Sequence, residues 1–189
     1  GVVNENIESP TACVYLAGQR GERRAIEHRG AGEQVAAARQ AGDERLRPRP
    51  VVAIGHHDAR AGGRVLLKAE VLQHTGSFKL RGALNRLLQL TDDERSRGVV
   101  AYSSGNHAQA VAYSASLLGV RSVIIMPKDA PALKIERTRA FGGEVVLYDR
   151  YTEDRVAIGS AIAQEHGLTI VPPFEDRHIV AGQGTLALE

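Results

Sequence analysis

From position 51 onward the chain alternates short continuous apolar runs with stretches whose apolar residues recur every three or four positions. Val65-Leu66-Leu67, within 64–68, reads as a strand. Ser77 is placed to cap a helix running to about Leu90, with Ala83, Leu84, Leu87 and Leu88 on one face. Residues 98–102 read as a strand, and Ala108, Val111, Ala112, Ala115 and Leu118 form a helical stripe ended by Gly119. Residues 122–126 read as a strand that is apolar without interruption after Ser122, as a strand covered on both faces requires. Pro131 suits a first helical position, with the helix reaching about Phe141. A strand at 144–148 follows, then a helix capped by Thr152 and stopped by Gly167, a strand at 168–171 and a helix from about His178. Strands alternating with helices predict an α/β fold with a mostly parallel sheet flanked by helices.

Residues 1–45 are different. They scatter Gly, Arg, Gln and Glu with little apolar period and read as a flexible or foreign lead-in. Residues 33–40, with Val35, Ala36 and Ala38 among good helix formers, form one short predicted helix there. Gly30-Ala31-Gly32 is not a dinucleotide-binding loop, because Val35 stands at the third glycine position and no strand precedes it.

Composition narrows the function. A formal charge of +2, no Trp and few aromatics give neither the basic surface nor the stacking platform of a nucleic-acid binder. No apolar run approaches the roughly 20 residues of a membrane span, so no membrane partner is expected. A lone cysteine, Cys13, excludes an internal disulfide framework and suits a reducing compartment, hence a cytoplasmic location. His56-His57-Asp58 invites a metal reading, but adjacent histidines on one short stretch aim poorly at one ion, and no metal is expected.

The chemistry concentrates in Thr75-Gly76-Ser77-Phe78-Lys79-Leu80-Arg81-Gly82-Ala83. This places a lysine at a helix start beside an apolar Phe78, with Gly76 and Gly82 letting backbone approach closely. A positive helix end disfavours an ammonium, and a neutral, nucleophilic amine is what Schiff-base chemistry needs. Arg81 is assigned no role and reads as a solvated helix charge. Further on, Ser103-Ser104-Gly105-Asn106-His107 leads into a helix, whose free N–H groups suit an anion such as an amino-acid carboxylate.

Ser77 to Ala83 resembles the cofactor-lysine motif of the fold-type II pyridoxal-phosphate enzymes, in the threonine dehydratase and serine racemase branch. Ser103 to Gln109 is similar to that branch's second motif, and Ala181-Gly182-Gln183-Gly184-Thr185-Leu186-Ala187-Leu188-Glu189 to a third. The order and separations are family-like from about Ala59 onward. Upstream, Arg49-Pro50-Val51 departs from a usual Thr-Pro dipeptide, and Gly55 lies near an expected serine.

The resemblance implies pyridoxal 5'-phosphate held by Lys79, which would also take the substrate's α-proton. Phe78 would pack against the cofactor ring. Ser103, Asn106 and His107 would meet the substrate carboxylate, with Asn106 also touching the ring hydroxyl. Ser104 would serve as acid or base on the face opposite Lys79. The implied architecture is two-domain: a small domain over 98–175, with 46–97 and 176–189 as pieces of a large domain. The glycine-rich phosphate loop would then lie past Glu189. A fragment of this kind is expected to be inactive by itself and to leave Leu84, Leu87 and Leu88 uncovered. The parent enzyme is expected to be a homo-oligomer acting on a small amino acid.

The implied activity is β-elimination from threonine or serine, giving a 2-oxo acid and ammonia. Amino-acid racemisation is the alternative, because Ser104 matches serine racemases where many threonine dehydratases carry alanine. A non-catalytic truncated α/β domain is the alternative from another class, while a nucleotide-binding module lacks its glycine fingerprint.

Overall fold

A computed structural model describes residues 53–58 and 63–187, with side chains from Leu67 onward. The lead-in at 1–45, its helix at 33–40 and the glycines at 30–32 lie outside the described residues. Two strands, β1 (Ala53–Asp58) and β2 (Gly63–Lys68), pair antiparallel, with Ala53 opposite Lys68 and Asp58 opposite Gly63. The strand expected over 64–68 is thus present, in a two-stranded sheet separate from the main one.

The main sheet has four parallel strands in the order β5-β4-β3-β6: Glu144–Tyr148, Ser122–Pro127, Val99–Tyr102 and Thr169–Ile170. Side chains alternate between its faces, so β3 and β4 each feed two cores. Val99, Ala101, Ile124 and Met126 join one cluster with α3 (Asn106–Leu117), α4 (Ala132–Ala140), α1 (Lys79–Leu88) and α6 (Arg177–Gly184). Val100, Val123, Ile125 and Tyr148 join the other, under Ile158, Ile162 and Ala163 of α5 (Arg155–His166). Burial from both sides is why 122–126 carries no polar alternation.

Helix α3 is buried well beyond its predicted stripe, including His107, Gln109 and Ser114, because it lies between the sheet and α1. Leu84 and Leu87 are buried, contrary to the expectation that they would be uncovered: α3 and α6 pack on α1 within this chain. Leu88 is only partly buried, and Leu80 takes a core position instead.

Helix ends differ from the sequence reading in instructive ways. Phe78, not Ser77, precedes α1, and the Ser77 hydroxyl is buried with no hydrogen-bond partner. Asp154, not Thr152, caps α5 by accepting from the Val156 N–H. Gly167 ends α5 in the left-handed conformation, as expected. An extra helix, α2 (Asp92–Arg97), opens with a capping box between Thr91 and Glu94.

Candidate active site

Lys79 is the first residue of α1 and follows a tight irregular loop. Gly76 turns that loop at φ +73°, a conformation that side-chain-bearing residues rarely adopt. The nearest atom to a Cβ there would be 3.9 Å away, so Gly76 serves conformation, not the close approach read from sequence. The Lys79 Nζ donates to the Pro173 carbonyl at 2.9 Å and lies 3.4 Å from the Gln183 Oε1. It also sits 5.5 Å from the centroid of the Phe78 ring. Burial lowers the Lys79 pKa below the ordinary lysine value, while the two oxygen acceptors favour the charged form.

Around this amine, the first and third motifs interlock. Arg81 is not a solvated charge. It binds Glu70 through two bonds of 2.8 and 3.1 Å and donates to the Thr185 Oγ1 at 3.2 Å. The two charged side chains are 6% and 12% exposed. Lower on α1, Arg86 pairs with Asp176 at 3.0 Å, and Asn85 donates to the His178 carbonyl at 2.7 Å. Asp176 itself caps α6 by accepting from the N–H groups of His178 and Ile179.

The second motif enters from β3. The Ser103 N–H donates to Ile125, and the Ser103 hydroxyl accepts from the Gly105 N–H at 3.2 Å. Asn106 opens α3, with its side chain exposed, and Ser104 is exposed beside it. The Gln109 N–H is satisfied by Gly105. The N–H groups of Asn106, His107 and Ala108 therefore have no partner within the helix and form an anion-receptive turn. Lys134 of α4 lies over this turn: a Cβ on Gly105 would come within 2.7 Å of its Nζ.

The His107 ring points elsewhere than the sequence suggested. It is 2% exposed, and its Nε2 lies 3.0 Å from the Val171 carbonyl, to which it donates. Burial pushes its pKa down to about 4, the nearby positive Lys79 adds to this, and the Val171 bond opposes it. The ring is thus neutral at ordinary pH, with its Nδ1 buried and unpartnered. Only the main-chain N–H of His107 is placed at the open turn.

The fold therefore brings Lys79, Phe78 and the α3 turn into one region, because α1 packs on α3 and the Lys79 charge is felt at His107. Sequence reasoning missed Arg81, Gln183, Lys134 and the carbonyls of Val171 and Pro173. Gln183 and Arg81 sat inside quoted motifs without a role, whereas main-chain acceptors leave no side-chain signal.

A half-buried amine with a lowered pKa fits an aldehyde cofactor. The region also holds the unpartnered buried Thr75 Oγ1, Ser77 Oγ and Gln183 Nε2. Comparison with known proteins agrees. The chain is 49% identical over 140 residues to an L-threo-3-hydroxyaspartate ammonia-lyase of Saccharomyces cerevisiae, covering 74% of this chain and 43% of that protein. It is 47% identical over 128 residues to an L-threonine ammonia-lyase of Thermotoga maritima, covering 68% and 32%. Maize serine racemase superposes with a TM-score of 0.72 at 33% identity, over 82% of this chain and 46% of that one. The chain thus spans less than half the length of these relatives. A family model described as "Pyridoxal-phosphate dependent enzyme" matches residues 43–189, so the chain belongs to that family, whose cofactor is pyridoxal phosphate.

Proposed function

We propose that this chain supplies the amine-bearing part of an active site for β-elimination from a hydroxy amino acid, releasing a 2-oxo acid and ammonia. The observation that carries this reading is the half-buried Lys79 amine, held below its ordinary pKa in a helix pair that also packs the anion-receptive turn of α3. When bound, pyridoxal phosphate supplies an electron sink for negative charge at the substrate α-carbon. Lys79 would hold the cofactor, and its amine would take the substrate α-proton. Phe78 packs beside the amine and would help hold the cofactor. The N–H groups of Asn106 and His107, with Ser103, would bind the substrate carboxylate, and Asn106 would also meet the cofactor. Lys134 adds a positive charge over that turn.

The relatives' names widen the substrate class to threonine, serine and 3-hydroxyaspartate. Racemisation is the second reading. Ser104 is exposed beside the α3 turn, and its hydroxyl would carry a proton on the second face. We place 98–175 in a small domain, with 46–97 and 176–189 in a large one. By itself the chain is expected to turn over poorly, because displacements of about 1 Å at a reacting centre cost about a hundredfold.

The test is incubation with pyridoxal phosphate, borohydride reduction and peptide mapping. Label on Lys79 is the expected result; label confined to Lys68, Lys128 or Lys134 would overturn the assignment. In the whole enzyme, Ser104→Ala then separates the activities. A larger loss of racemisation than of 2-oxo acid release supports the second-face role, and equal losses remove it.

A further inference from the structure

We infer that His107 is a positioning residue for the Lys79 amine, acting through the main chain of Val171 to Pro173. The His107 Nε2–H donates to the Val171 carbonyl at 3.0 Å, and the Lys79 Nζ donates to the Pro173 carbonyl at 2.9 Å. Both bonds therefore land on one short segment, between β6 and α6. That segment is stiff. Pro172 and Pro173 each lock φ in a ring, and a residue preceding proline is confined to extended conformations. Val171 and Pro172 both precede proline.

The near end of the segment is fixed twice. The Val171 N–H donates to the Val100 carbonyl of β3 at 2.8 Å, and its carbonyl accepts from the His107 Nε2–H. With both sides of Val171 held, the two prolines carry the chain in a restricted path to α1, where the Pro173 carbonyl oxygen meets the Lys79 amine. The amine of Lys79 is then held between that carbonyl and the Gln183 Oε1. His107 is suited to this work because it stays a neutral, single-tautomer donor with 2% exposure. It is poorly suited to proton transfer, since its free Nδ1 is buried. The arrangement also ties the first turn of α3 to the amine through packed main chain, so the two halves of the proposed site share one anchor.

The inference takes Lys79 as the reactive amine of the proposed function, but its test reads the amine alone. The full chain, without cofactor or substrate, is methylated with formaldehyde and cyanoborohydride, and label on Lys79 is compared with label on exposed Lys128 by peptide mass spectrometry. His107→Leu removes the donor; His107→Gln keeps one. Pro173→Gly keeps the accepting carbonyl but frees the segment. Losing a bond to the charged amine favours its reactive neutral form, so the Lys79:Lys128 label ratio should rise roughly three- to tenfold in the Leu and Gly variants. The Gln variant should stay near wild type. An unchanged ratio in folded Leu and Gly variants would overturn the inference, as would a Gln variant as altered as the Leu variant. If the Leu variant fails to fold, Pro173→Gly decides. Because no cofactor is present, a failure here is distinct from a failure of Lys79 to take up pyridoxal phosphate.

Discussion

Gly82 and Gly182 face each other where α1 crosses α6. A Cβ on Gly182 would lie 2.8 Å from the Gly82 Cα and 2.6 Å from the Arg81 carbonyl oxygen, and a Cβ on Gly82 would lie 2.6 Å from the Ile179 carbonyl oxygen. These obstacles are main-chain atoms, so neither helix can yield by turning a side chain. The contact is also what lets Gln183 reach Lys79 across the crossing.

Gly82→Ala and Gly182→Ala are therefore expected to destabilise the protein. A helical Gly→Ala change alone would help by about 1 kcal/mol. Overpacking of a fixed contact costs about 1–3 kcal/mol and must win here. Urea unfolding measures the difference, and a midpoint at or above wild type would mean the helices separate freely.

The Arg81–Glu70 pair supports the loop that delivers Lys79 from the other side. With both side chains largely buried, Arg81→Met strands the Glu70 carboxylate and should cost about 3 kcal/mol or more. Adding Glu70→Gln should recover part of that loss, because the uncompensated charge is gone. A double variant as unstable as the sum of the two single changes would show that the groups act independently.

The stability of the chain should depend on pH through His107. Its folded pKa is about 4, below the ordinary value of 6.5, so the unfolded chain binds a proton first as pH falls. The stabilisation is fully present above about pH 6.5, declines as pH falls toward 4, and changes no further below that. The total is on the order of 3 kcal/mol from a shift of this size. His178 shifts in the same direction, chiefly through desolvation, so the measurement is a difference. The fall in unfolding free energy from pH 7 to pH 4.5 should be smaller in His107→Gln than in wild type. Equal slopes would show that the ring is accessible to protons when folded.

What could be read from the sequence follows from which signals are local. The two-faced burial of β3 and β4 left continuous apolar runs, so the parallel sheet was legible. Lys79 and the α3 turn were legible because their motifs are contiguous. The β1–β2 ribbon was only half legible: 64–68 read as a strand, but its partner at 53–58, where His56, His57 and Asp58 interrupt the apolar pattern, did not. The covering of Leu84 and Leu87 was missed for a similar reason: α3 and α6 reach α1 from distant positions. The role of Arg81 depended on Glu70 and Thr185, which lie 11 and 104 positions away. Acceptors such as the Pro173 carbonyl carry no side-chain mark at all.

The start of α5 offers a sharp local test of the same point. The sequence reading assigned the cap to Thr152, and Asp154 is equally a residue type that caps helices. In the structure Asp154 is extended, at φ −96° and ψ 112°, and its carboxylate accepts from the Val156 N–H at 2.7 Å. Thr152 instead sits in the preceding turn, with its N–H donating to the Asp149 carbonyl. A carboxylate at this end also meets the positive pole of the helix, which a hydroxyl does not exploit. Asp154→Ala should therefore cost about 1 kcal/mol, and Thr152→Ala should cost little. Asp154→Asn should fall between, since it keeps an acceptor but loses the charge. Thermal unfolding of the three variants orders them, and a larger loss from Thr152→Ala than from Asp154→Ala would move the helix start upstream.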